Sequence, residues 1–97
     1  MNKLDQLKKV SNYSTVRKKA KLLYHRDVYP STKKNKKYMI QNDKGKMVHF
    51  GAIQYEDYTK HKDKTRRKNY LNRASHIKGK WKNDPFSPNN LSLHLTW

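Results

Sequence analysis

A chain with 24 lysines and arginines against seven acids must fold against its own repulsion, and it has few aliphatic side chains to fold with. Leu, Ile, Val and Phe together supply only 17 of its 97 residues. A net charge of +17 on so apolar-poor a chain falls in the range where polypeptides often stay disordered. Seven tyrosines, two tryptophans and two phenylalanines oppose that outcome, because each aromatic ring buries about 150–250 Å². The expectation is one small domain with an aromatic-rich core. The absence of cysteine removes disulfides, thiolate metal sites and thiol catalysis together.

Charge divides the chain unevenly. Residues 1–83 carry every basic side chain, whereas residues 84–97 hold none and only Asp84 as an acid. Leu91, Leu93, Leu95 and Trp97 concentrate in that last stretch, so it is expected to close the core rather than meet an anion. Periodicity leaves open whether it does so as a helix or as an edge strand. Ser87-Pro88 fits an N-cap with proline at the first helical position.

Near the N-terminus, Leu4, Leu7 and Val10, then Val16, Ala20, Leu23 and Tyr24, recur at helical spacing around a break at Ser11-Asn12. Such short helices are marginal in isolation, and Pro30 disfavours helix at Tyr29. Residues 1–28 are therefore expected as a basic arm, helical or disordered, ahead of a compact domain spanning 29–97. Within that domain, Lys37–Gln41 and Lys46–Phe50 flank Asn42-Asp43-Lys44-Gly45, a hairpin signal. In the first strand Tyr38 and Ile40 share a face and Met39 takes the other, in the second Val48 and Phe50 share a face away from Met47 and His49, and Gly51 is expected to end the ladder. A short turn around Glu56–Lys60 precedes the main helix, which runs from an Asp63 N-cap to Ile77.

These readings define the fold class as α+β: a small single domain with a β-hairpin packed against one main helix, a short C-terminal element, and a basic N-terminal arm. Tyr38, Ile40, Val48, Phe50, Tyr70, Leu71, Ala74, Ile77, Trp81, Phe86, Leu91 and Trp97 are the expected core.

Several strings at fixed spacing carry a resemblance. They are Lys36-Lys37-Tyr38-Met39, His49-Phe50-Gly51, the run from Tyr55 to Asp63, Arg66-Arg67-Lys68-Asn69-Tyr70, Gly79-Lys80-Trp81, the run from Phe86 to Ser92, and Leu95-Thr96-Trp97. Over residues 29–97 the chain resembles a family of small basic proteins of unknown function encoded by large DNA viruses of eukaryotes, such as mimiviruses and chloroviruses. The resemblance implies a viral origin and a place in the virion or at a replication site in the host-cell cytoplasm. It implies no activity.

Chemistry must supply the function. A cationic excess of this size suits a polyanion, and nucleic acid is the expected partner, DNA ahead of RNA, bound mainly through phosphates with little sequence discrimination. The candidate contacts are Lys33, Lys34, Lys36 and Lys37 before the hairpin, and Lys64, Arg66, Arg67, Lys68 and Arg73 on the main helix. Arginine suits bidentate phosphate contact better than lysine. Asn69, Asn72 and Arg73 offer a route to base edges, and Tyr13, Tyr24 or Tyr58 to stacking on unpaired bases, although aromatics at this density are more often core. The plain alternative is that the charges only solvate a small surface.

No catalytic template fits. Gly45, Gly51 and Gly79 are too dispersed for a phosphate loop, and no nucleophile–base pattern occurs. His49, Asp57, His61 and Asp63 have the donor atoms for a small metal or acid–base site, but helix capping and pairing with Arg66 and Arg67 account for them as well. The expectation is a non-enzyme with no cofactor, metal or small-molecule substrate. The alternative class is a virion structural or adaptor protein docking on acidic protein surfaces, with Leu4–Tyr24 as its interaction helix. No apolar run reaches the roughly 18 residues of a membrane span, and no secretory leader is evident. A basic arm without Trp or Phe anchors is a poor match for a lipid surface.

Overall fold

The computed structural model of the chain describes residues 2–77, 79 and 83–97. In chain order the elements are α1 (Lys3–Val10), α2 (Tyr13–Tyr24), β1 (Tyr29–Pro30), β2 (Lys36–Gln41), β3 (Met47–Ala52), α3 (Tyr58–His61), α4 (Lys64–Ser75) and α5 (Pro88–Leu95). The architecture is α+β, with a three-stranded antiparallel sheet in the order β1-β2-β3. Tyr38 faces Phe50 and Ile40 faces Val48 across the hairpin, so the two apolar faces read from the alternation lie on the same side of the sheet. Its turn is closed by Asn42, whose amide meets the Lys46 carbonyl at 2.8 Å while its side chain accepts the Lys44 and Lys46 amides. Gly45 supplies the positive φ of 80° that the turn requires. The ladder continues one residue past Gly51, where Ala52 pairs with Lys36.

The N-terminal segment takes the helical form, one of the two expected of it. The break at Ser11-Asn12 does separate two helices, each capped by an asparagine: Asn2 accepts the Asp5 amide and Asn12 the Thr15 amide. They are not an arm standing apart from the domain. Leu7, Val16, Ala20, Tyr24 and Val28 are buried in the same cluster as Tyr38, Ile40 and Phe50. The reason is shortage: the sheet face and α5 carry too few aliphatic side chains to cover one another, and the apolar stripes of α1 and α2 complete the cover. Tyr13 stacks on Tyr38 at 5.7 Å and donates its hydroxyl to the Val28 carbonyl.

The C-terminal choice resolves as helix. Ser87 caps α5 by accepting the Asn90 amide, Pro88 occupies the first turn, and Leu91 and Leu95, four residues apart, are fully buried against β3 and α2. Asp63 caps α4 as its sequence suggested, accepting the Thr65 and Arg66 amides. Yet α4 packs mainly on α3 and α5, and α5 takes the place beside the sheet that the longer helix was expected to hold. The stripe of α4 is too thin for that role. Ala74 is its buried residue, Tyr70 and Leu71 are half-buried, and Ile77 just beyond its end is 44% exposed. Val48, Phe86 and Trp97 are likewise only partly buried, and Trp81 lies outside the described residues.

Candidate nucleic-acid interface

Strand alternation that sends Tyr38 and Ile40 into the core sends Lys37 to the opposite face, where a lysine would ordinarily meet water. Here it does not. Gly51 lies across from it, and a Cβ at that position would come within 3.2 Å of the Lys37 stem. The stem therefore lies flat on Gly51, whose φ of 80° also favours glycine. Its ammonium reaches Asp57 Oδ2 at 3.1 Å, with the two side chains 4% and 0% exposed. Burial holds the Lys37 pKa below the ordinary lysine value, and the neighbouring Asp57 carboxylate opposes that shift.

The other carboxylate oxygen of Asp57 caps α3 through the Thr59 amide at 3.0 Å and accepts the Thr59 hydroxyl. That hydroxyl oxygen takes the Asn12 amide at 2.9 Å and lies 3.2 Å from Ser11 Oγ. Ser11 Oγ in turn accepts the Tyr38 hydroxyl at 2.6 Å. Burial pushes the Tyr38 phenol well above its ordinary pKa, so it serves here as a neutral donor. One buried chain of polar groups thus ties the α1–α2 junction, β2 and α3 together. Lys37, singled out by sequence as a phosphate contact, borders the groove between the hairpin edge and α4, but its ammonium is committed to Asp57.

The remaining candidates divide between two surfaces. The connection from β1 to β2 wraps around the Lys3 ammonium, which donates to the carbonyls of Lys33 (2.8 Å), Lys36 (2.6 Å) and Lys34 (3.3 Å). With its carbonyls turned inward, the loop leaves the Lys33 and Lys34 side chains exposed. His49 sits beside it, its Nδ1 bonded to Ser31 Oγ at 2.6 Å. Burial, and then the positive charges of Lys33, Lys3 and Lys36, hold the His49 pKa below its ordinary value.

Lys36 also lines the second surface, an open groove of about 820 Å³ between the hairpin edge on one side and α4 with α5 on the other. Arg66, Asn69, Tyr70, Arg73 and Ala74 line it from α4, the three- and four-residue spacing of one helical face. Tyr70, Ala74 and Ile77 of the stripe expected to enter the core border this groove, Ala74 alone of them being buried. Tyr70 is held there by a parallel stack on Trp97, with ring centroids 4.3 Å apart and planes at 7°. Arg66 lies 3.5 Å from Glu56 in an exposed ion pair, weak enough to exchange for a phosphate.

Sequence order alone therefore does not decide which cations are available. Lys36, Arg66 and Arg73 line the groove, Lys33 and Lys34 are exposed on the loop before β2, and Lys64 and Lys68 are exposed on α4. Arg67 is exposed but engaged within the fold: its Nε donates to the Trp97 carbonyl at 2.9 Å and its guanidinium lies over the Tyr58 ring at 5.3 Å. The tyrosines considered for stacking are also engaged. Tyr13 packs on Tyr38, Tyr24 on Phe86, and Tyr58 under Arg67. Tyr55, which the sequence did not distinguish from any other loop tyrosine, is 67% exposed and lines the groove.

The histidine and aspartate group disperses into local contacts. Asp57 is engaged by Lys37 and Thr59, His49 by Ser31, and His61 Nδ1 accepts the Asp63 amide at 2.9 Å. Among the described residues, no three His, Asp or Glu side chains gather in a metal-binding arrangement, and no helix is long and apolar enough to cross a membrane.

A family model described as a family of unknown function, DUF5754, matches residues 26–74. The chain belongs to this family. The DUF5754 match runs from β1 through nearly all of α4 and contains all nine cations singled out from the sequence, together with the Lys37–Asp57 pair and Gly51. No curated protein and no solved structure gives a significant match.

Proposed function

We propose that this DUF5754 protein binds nucleic acid through phosphate contacts, DNA in preference to RNA, without making or breaking bonds. One observation carries the reading: Lys36, Arg66 and Arg73, distant in sequence, line a single open groove, and Lys33 and Lys34 are exposed on the loop that leads into Lys36. Lys64 and Lys68 add charge on the exposed side of α4. Six such contacts release about six counterions, which lowers affinity roughly 10³-fold between 50 and 200 mM salt. Lysine outnumbers arginine on this surface, favouring backbone engagement over base readout. Together with the viral resemblance, this supports a role in packaging or protecting a viral genome, in the virion or at a cytoplasmic replication site.

The test is equilibrium binding of the full chain to labelled duplex DNA, single-stranded DNA and RNA at both salt concentrations. A steep salt slope with DNA supports the reading. Absence of binding to any of them at 50 mM salt overturns it.

A second reading, docking on an acidic partner protein of the virion, draws on α2, where Leu22 is 74% and Leu23 52% exposed among lysines. It predicts that Leu22→Ser with Leu23→Ser abolishes partner capture and leaves nucleic-acid affinity unchanged.

A further inference from the structure

We propose that the groove between α4 and the hairpin edge takes unpaired bases, with Tyr55 as a stacking platform, so that the ligand is a single strand rather than a duplex. This rests on the phosphate-binding reading and specifies the substrate of the same site.

The composition of the groove is the starting point. A surface serving only phosphates needs cations and water, but this one also contains apolar and aromatic groups. Ala52 and Ala74 line it, the Tyr70–Trp97 stack forms a rigid aromatic wall, and Tyr55 presents a largely uncovered ring. An exposed ring is unremarkable alone. Inside a concave site lined by Lys36, Arg66 and Arg73 it offers a face on which a base can lie while cations hold the backbone.

Size points the same way. At about 820 Å³ the groove falls within the range of small-ligand pockets, room for a few nucleotides and too little for a double helix. In a duplex the base faces are covered by their stacked neighbours, so a ring inside the groove could engage them only after strand separation. Asn69, also on the groove wall, has an amide that both donates and accepts, and so tolerates any base edge. Stacking is likewise tolerant of base identity, so little sequence preference follows.

The experiment compares three probes, every strand 5′-phosphorylated so that the numbers of phosphates are equal: a 12-nucleotide oligo-dT, an abasic strand of the same length, and a six-base-pair duplex cross-linked against melting. Each is titrated against the full chain by fluorescence anisotropy. Stacking is worth about 1–3 kcal/mol per base, so oligo-dT is expected to bind at least about fivefold tighter than the abasic strand. Tyr55→Ala is expected to remove that advantage and Tyr55→Phe to retain it. Circular dichroism verifies that both variants are folded, as the exposure of Tyr55 leads us to expect. Equal affinity for oligo-dT and the abasic strand overturns the inference and leaves phosphate binding standing. So does a base advantage that survives Tyr55→Ala, or tighter binding of the duplex. No binding of any probe at low salt overturns the phosphate reading and this one with it.

Discussion

Lys37 and Asp57 form an ion pair of 3.1 Å from which water is shut out, whereas Lys33 and Lys34 of the same basic run are exposed. The aspartate also holds the Thr59 amide and hydroxyl, so two structural duties fall on one carboxylate.

Removing it is expected to be costly. Asp57→Ala leaves a buried ammonium without its counter-charge and uncaps α3, and breaking such a pair typically costs about 3–5 kcal/mol. Urea denaturation of the variant should show a midpoint lowered accordingly. A change below about 1 kcal/mol would mean that Lys37 escapes to solvent, and that the pair does not fasten α3 to the sheet.

The two N-terminal helices make a contrasting prediction. Leu7 on α1 is 1% exposed and Leu22 on α2 is 74% exposed. Leu7→Ala is expected to destabilise the whole domain by about 2–5 kcal/mol, while Leu22→Ala stays within about 0.5 kcal/mol. Two-state unfolding with a lowered midpoint in Leu7→Ala alone checks this. Deletion of residues 1–28 should likewise unfold the remainder rather than trim an appendage.

What could be read from the sequence was local. The Asn42–Gly45 turn, the Asp63 cap and the Ser87-Pro88 start depend on neighbours within four residues, and each stands where its chemistry placed it. What escaped was long-range. Leu7 and Val16 belong to short, lysine-rich helices whose stripes gain meaning only when the sheet needs a cover. Lys37 sits in a run with Lys33, Lys34 and Lys36 that reads as uniformly solvated. Its burial depends on Gly51, fourteen positions later, and on Asp57, and nothing in the run distinguishes it. The site was legible in part for the same reason. Arg66 and Arg73 share a helical face by spacing alone, but the wall opposite them, with Lys36 and Tyr55, is set by tertiary packing.

His49 gives the fold a pH dependence. Its folded pKa lies below the unfolded value of about 6.5, first through burial and then through Lys33, Lys3 and Lys36. In the window between the two values the unfolded chain binds the proton more readily, so stability rises with pH there. The contribution is complete above about pH 6.5 and is lost as pH falls toward the folded pKa. Thermal melts from pH 7.5 down to 5 should show a decline that His49→Gln reduces. Bound phosphates near Lys33 and Lys36 would offset their charge, so NMR titration of His49 should show its pKa raised in the DNA complex. A lower pKa in the complex would place the ligand elsewhere.

The most direct measurement is the salt slope of single-stranded DNA binding in the wild-type chain and in the variant combining Lys36→Gln, Arg66→Gln and Arg73→Gln. If these three cations grip phosphates, the slope of log K against log salt becomes shallower by about two, at roughly 0.7 per lost contact on a single strand. Lys37→Gln, assayed where the protein remains folded, changes it by none. An undiminished slope in the triple variant, or a slope lowered equally by Lys37→Gln, would contradict the assignment of the groove.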